Sequence, residues 1–362
     1  MTENLKSPTR RTVLRAAATL SLLPLATPYL SLSKARASGS ITVRTLGGAY
    51  EDAARKVYFE PFTAETGIAV QTAPANFSKL LAMHRSGNNE FDIVDIGELG
   101  IIQLRDEGAL EKINYDSWTD IDRTKIDEAA VSEFGVGHTY YSTVLAYNSD
   151  AITAEKAPKN WQDFWNVEQF PGPRMLADIA SGDIDLEQAL LADGVPMDKL
   201  YPLDIERGLA VMARLRPSIR KFWDTGALSA QMLTDQEAVM GTIWNTRAQA
   251  AIDGGAPLRI VWDGGQLRMQ GWAIPKAAQN PEGAQKFVAF AMAAERQAGL
   301  AELIPNGPTN KLAFEKMSAE RAKILPNNPE IVARCFVQDA QWWADNRAQV
   351  ASQWSKWLLA NR

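Results

Sequence analysis

Short runs of alternating or continuous apolar residues take turns with longer amphipathic ones along most of this chain, the pattern of an α/β protein. Ile41–Leu46 alternates as a strand, and Gly47-Gly48 turns the chain into an amphipathic helix over residues 49–67 with Glu51 and Asp52 near its positive end. Residues 67–73 and Phe91–Gly97 form two further strands, with a helix around Lys79–Arg85 between them. Thr139–Asn148 is a long strand, and residues 157–165 are a loop and helix. After more helical segments, Gly241–Gly255 reads as a strand ending at Ile243-Trp244, a capping pair Asn245-Thr246, and a helix stopped by Gly254-Gly255. Leu258–Trp262 and Gln266–Pro275 are two strands parted by Asp263-Gly264-Gly265, and the chain is mostly helical from Pro281 on.

Arg247 raises the first chemical question. In the first turn of its helix, free amide N–H groups and the helix dipole make the surroundings positive. A cation there calls for compensation, either from an acid such as Asp263 or from an anionic ligand. On the strand that follows, period two puts Arg268, Gln270 and Trp272 on one face, which suits either the wall of a polar cleft or a solvated face. Trp244, Trp262 and Trp272 sit beside turns and strand ends, where a ring walls a pocket. Trp342, Trp343, Trp354 and Trp357 fall in a helical segment and read as packing residues. Gly47-Gly48 is either an anion cradle or a tight turn, without the spacing of a nucleotide-binding loop.

The first 37 residues stand apart from the fold. They combine Arg10-Arg11, a modest apolar run and an Ala35-Arg36-Ala37 cleavage pattern, like a twin-arginine export signal. This segment holds six of the 38 basic residues and one of the 43 acidic ones, so its removal takes the net charge from −5 to −10. No long basic run remains, which argues against nucleic acid as a partner. No later segment is long and apolar enough to span a bilayer. With Cys335 the only cysteine and His84 and His138 the only histidines, zinc and copper sites are poorly supplied. Tyr140 and Tyr141 point to opposite faces of a strand and do not chelate one ion between them. No nucleophile–base pattern is visible, and no cofactor is expected.

Several segments in order resemble one family. They are residues 45–68, Phe91–Gly97, residues 158–165, residues 243–265, residues 271–292 and residues 304–310. The chain is similar over nearly all of its mature length to the solute-binding proteins of ABC importers, in the group that binds spermidine, putrescine and small amino-acid-like solutes. That resemblance implies a two-lobed periplasmic-binding fold of type II, with mixed sheets flanked by helices and strands crossing between the lobes. The expected bodies are residues 38–142 with 270–310, residues 143–269, and C-terminal helices over 311–362 packing across both. It also implies a soluble periplasmic monomer that hands its cargo to a membrane permease.

By the same resemblance, Trp244 matches the aromatic that packs on the ligand and Arg247 the residue that grips a solute carboxylate. Gly48 and Tyr50 fall in the first ligand loop, and Asp95 and Glu98 in the loop after the third strand. Tyr141 lies in a crossing strand, Asn306 in the loop where many relatives have tyrosine, and Asp178 near an acidic loop of the second lobe. Polyamine binders carry tryptophan and aspartate where this chain has Arg268 and Gln270. Relatives for amino-acid-like solutes often carry an acid where Arg268 stands, and its exchange for arginine favours a small anionic or zwitterionic solute gripped by Arg247 and Arg268 together, with Asp95 or Glu98 holding an amine. A polyamine binder whose acids lie elsewhere is the alternative, and an exported enzyme is a third reading.

Overall fold

The computed structural model describes residues 39–45, 47–182 and 184–361, so the predicted export signal lies outside the described residues. Among the described residues, twelve strands join one mixed sheet: β1 (Ser40–Arg44), β2 (Ala69–Ala73), β3 (Ile93–Gly97), β4 (Leu110–Glu111), β5 (Val131–Ser132), β6 (Gly135–Asn148), β7 (Arg174–Ala177), β8 (Ile219–Trp223), β9 (Met240–Trp244), β10 (Leu258–Pro275), β11 (Gly307–Pro308) and β12 (Cys335–Val337). The main order is β2-β1-β3-β10-β6-β9-β7-β8. β1 pairs in parallel with β2 and β3 on one side, and β7 pairs in parallel with β8 and β9 on the other. The long antiparallel pair β6 and β10 joins the two halves, so the fold is two lobes sharing two crossing strands.

Each lobe has its own core. In the first, Val43, Tyr58, Phe62, Ile93, Trp272 and Phe287 pack between the sheet and its helices. The helix after β1 runs from Gly48 to Thr66, widens into a π turn over Arg55–Phe59, and stops at Gly67 in the left-handed conformation, φ 73°. In the second lobe, Phe164, Leu176, Leu190, Leu209 and Met212 pack with Trp343, Trp354 and Trp357 of the C-terminal helix Ala340–Ala360. The Trp354 and Trp357 rings stack at 4.9 Å, so the tryptophans of this segment are packing residues. The same helix reaches the first lobe, where Arg105 donates to Gln341 at 3.0 Å.

Two local readings are corrected. Asp263-Gly264-Gly265 does not end a strand: β10 is continuous, and its pairing shifts from Val261 opposite Leu145 to Gln266 opposite Thr143. The three residues are the surplus of a bulge on the crossing strand. Gly264 has φ 72°, and a Cβ there would lie 2.6 Å from Trp161 Cδ1, whose ring N–H donates to Gly264 O at 2.8 Å. Asn245 and Thr246 do not cap the Arg247 helix, because the cap position is Trp244 and no side chain closes it. Asn245, 1% exposed, instead accepts from Ser142 N at 2.8 Å and donates to Pro305 O at 2.9 Å. It ties the crossing strand β6 to the loop before β11.

Candidate functional site

A cavity of about 240 Å³ lies where the lobes face each other. Thr45, Gly47, Ala49, Tyr50 and Asp95 line it from the first lobe, and Trp244, Arg247, Ala250 and Asp253 from the second. Tyr141 and Gln270 come from the two crossing strands, and Leu303–Asn306 closes one edge.

Arg247 reaches this cavity from the first turn of helix Asn245–Asp253. It has no ion pair among the described residues. Asp263, the acid within sequence reach, is held by Arg334 at 2.7 Å. Space for the arginine stem comes from Gly226, where a Cβ would lie 2.9 Å from Arg247 Cγ and 2.8 Å from Trp244 Cε3. Trp244, half-buried at the end of β9, meets Trp223 edge-on at 5.5 Å and Tyr141 at 6.3 Å. The aromatic wall is therefore fixed from behind.

The opposing wall is built around Asp95, 2% exposed. Tyr50 donates its hydroxyl to Asp95 Oδ2 at 2.6 Å, and His138 Nε2 lies 3.2 Å from Asp95 Oδ1 and 3.3 Å from the Tyr50 oxygen. Burial, reinforced by the Asp95 charge, pushes the Tyr50 phenol well above its ordinary range, so it stays a donor. Arg44 sits behind, donating to the main-chain carbonyls of Asp95 and Ala75. Burial lowers its pKa while Asp95 opposes that shift. Thr45 accepts from Gly47 N at 3.0 Å and so shapes the turn into the first helix. Gly47 and Gly48, at φ 77° and 69°, both have open space where a Cβ would be. Gly47 and Ala49 line the cavity, whereas Gly48 between them does not.

Tyr141 also lines a second, larger cavity of about 1020 Å³, and here Glu98 and Arg268 are found. The Arg268 guanidinium lies over the Tyr141 ring, 5.4 Å from its centroid. Burial raises the pKa of the Glu98 carboxyl, and the charge of Asp339 raises it further. Arg247 and Arg268 thus line different cavities, and the expected clamp of two arginines on one anion is not what the structure presents. Two other expected contacts are also displaced. Trp272 has 0% exposure and stacks on His138 at 4.3 Å, inside the first core. Asp178 caps a short helical turn, accepting from Ala180 N at 2.9 Å and from Trp354 Nε1 at 3.3 Å, and lines neither cavity. The Gly226, His138, Arg44 and Thr45 contributions carry no local sequence signal, since each depends on a partner brought in by tertiary folding.

A two-lobed α/β chain with an interlobe crevice is the architecture of a solute receptor, and this chain belongs to the bacterial extracellular solute-binding protein family, whose sequence profile matches residues 57–329. It is 33% identical over 345 residues to the gamma-aminobutyric acid-binding protein of Pseudomonas aeruginosa, covering 93% of this chain and 95% of that one. It matches the structure of an ABC transporter substrate-binding protein from Bradyrhizobium japonicum with a TM-score of 0.82 and 33% identity, over 88% of this chain and 99% of that one. The structure described as the Atu4243-GABA receptor matches with a TM-score of 0.80 and 32% identity, over 88% and 97%. The protein works as the substrate-binding component of an ABC transporter, as the order of its segments implied. These relatives bind solutes and are not enzymes. Among the described residues no helix is long and apolar enough to cross a membrane.

Proposed function

We propose that the protein captures a small zwitterionic, amino-acid-like solute between its lobes and presents it, as a soluble periplasmic monomer, to a membrane permease. The observation that carries this reading is Arg247, a cavity-lining guanidinium without an ion pair among the described residues. A guanidinium fork matches a carboxylate in two parallel hydrogen bonds. Trp244 packs on the solute body, and Asp95 with Tyr50 and Gln270 receives the amine. Asn306, 6% exposed at the cavity edge, supplies a further polar contact. A cavity of about 240 Å³ suits a molecule of this size. The two GABA-binding relatives make 4-aminobutanoate the first solute to test. Residues 38–142 with 270–310 would close on residues 143–269 by bending β6 and β10 near their bulges.

A polyamine fits this site less well. The mature net charge attracts cations at long range, yet Asp95 serves one amine only, and a second cationic group would arrive against Arg247 and Gln270. Thermal shift separates the readings, because a ligand at a hundred times its Kd stabilises by about 2.7 kcal/mol. Stabilisation by 4-aminobutanoate, lost in Arg247→Ala, is the expected result. Stabilisation by putrescine or spermidine but by no carboxylate would overturn the proposal.

A further inference from the structure

Where β6 and β10 pass the first lobe, their pairing slips by one residue: Gln270 lies opposite Thr139, but Gly271 lies opposite Gly137. His138 is the surplus residue of that bulge, and a bulge turns a side chain out of the regular alternation. The imidazole is fully buried and held on two sides. It stacks on Trp272 at 4.3 Å with the planes 17° apart, and Tyr58 meets it edge-on at 6.1 Å. Its polar contacts among the described residues are all with one pair of groups. Nε2 lies 3.2 Å from Asp95 Oδ1 and 3.3 Å from the Tyr50 oxygen, and Nδ1 has no hydrogen-bond partner.

The hydrogens follow from the partners. Tyr50 gives its only hydroxyl hydrogen to Asp95 Oδ2, so neither the phenol oxygen nor Oδ1 has one to offer the ring. Two acceptors 3.2 Å apart with no hydrogen between them would repel, so Nε2 carries the hydrogen and donates it to Asp95. One carboxylate oxygen is thus held by Tyr50 from helix Gly48–Ala54 and the other by His138 from β6. The remaining lone pairs are left for a donor in the small cavity, which Asp95 and Tyr50 line and His138 does not.

We propose, on the reading that the solute amine sits at Asp95, that His138 is a positioning residue for that amine: it orients the carboxylate and touches no solute. Without the Nε2 hydrogen, Asp95 is held at one oxygen only and is free to turn, and its hydrogen bonds to the amine lose alignment.

The test is calorimetric titration of the purified protein with 4-aminobutanoate, in wild type, His138→Phe, His138→Gln, Asp95→Asn and the double variant of Asp95→Asn with His138→Phe. Phenylalanine keeps a ring against Trp272 and removes the donor, whereas glutamine keeps an N–H donor near the position of Nε2. His138→Phe should raise Kd at least tenfold, as for a lost hydrogen bond to a charged group, and His138→Gln threefold or less. In the Asp95→Asn background the phenylalanine exchange should change Kd less than twofold, because the group it acts through is gone. His84 and His138 are the only histidines, so nitrogen NMR of labelled histidine in His84→Gln reads the His138 ring alone. It should show a hydrogen on Nε2 and a bare Nδ1. A hydrogen on Nδ1 instead, or an equal loss from His138→Phe with and without the Asp95 carboxylate, would overturn the proposal. Where His138→Phe fails to fold, the tautomer and His138→Gln decide. If Asp95→Asn weakens binding and a folded His138→Phe does not, the role of His138 is wrong and the reading of the site stands. If Asp95→Asn leaves Kd unchanged, the amine lies elsewhere and both fall.

Discussion

Replacing Arg247 by alanine separates a ligand contact from a structural one, because the two roles predict opposite balances between affinity and stability. In the unliganded protein the side chain is half-buried, has no ion pair among the described residues, and sits at the positive end of its helix. Removing a cation from a helix start relieves roughly 0.3–1 kcal/mol of dipole repulsion, and alanine is the better helix former. Some stem packing over Gly226 is lost in exchange. The net change in unliganded stability should be within about 1 kcal/mol, a shift of at most a few degrees in Tm for a chain of this size. Binding should respond very differently. Truncating one partner of a desolvated, hydrogen-bonded charge pair costs roughly 2–5 kcal/mol. That raises Kd by about 30-fold to about 5,000-fold. Arg247→Lys keeps the charge without the fork and should fall between alanine and wild type. The assay is differential scanning fluorimetry with and without 4-aminobutanoate, followed by calorimetry on each variant. A fall of about 10 °C in the unliganded Tm, or a ligand-induced shift of wild-type size in Arg247→Ala, would refute the reasoning.

Three further outcomes test other parts of the structure. Trp272→Ala opens a hole beside His138, Tyr58 and Phe287 and should cost about 3–5 kcal/mol of unfolding free energy in urea titration, whereas Trp244→Ala should weaken ligand binding more than folding. Glu98 has a raised pKa in the folded protein, so its contribution is whole below the unfolded value near 4.5 and is lost as pH climbs through the folded one. Glu98→Gln should therefore match wild-type stability at about pH 3.5 and exceed it at about pH 7, and an equal difference at both would exclude this account. Gly264→Ala puts a Cβ into the Trp161 ring at a left-handed φ of 72°, and should destabilise by roughly 1–3 kcal/mol in the same titration.

The alternation of apolar segments was enough to read the α/β class, because strand and helix periods are local properties of the chain. The crossing strands were legible only in part. Leu258–Trp262 and Gln266–Pro275 each read as a strand, yet Asp263-Gly264-Gly265 looked like a break because such residues usually end strands. Its role as a bulge rests on contacts with Trp161 and Arg334, which lie 103 and 71 residues away. Asn245 shows the same limit. Asparagine before a helix suggests a cap, and here the amide is used between Ser142 and Pro305.

The contrast between the two arginines explains how far a site can be read without coordinates. Arg247 stands out locally, since its conflict with a helix start is set by its nearest neighbours in sequence, and the acid that would have resolved the conflict is taken by Arg334. Arg268 was inferred from alternation, which assigns a side chain to a face but not to an environment. Along β10 that one face passes from the large chamber at Arg268, through the small chamber at Gln270, into the first core at Trp272. β12 pairs with β10 at Gly265–Leu267 and β3 at Gln270–Ala273, so Arg268 falls in the gap between them, while Gln270 and Trp272 lie along β3 at the edge and in the interior of the first lobe. Covering a strand differently along its length divides one polar face among three surroundings. Selectivity in this crevice is therefore a property of the crossing strand's neighbours as much as of its own residues, and a variant that alters the pairing of β10 should change which solute binds without touching Arg247.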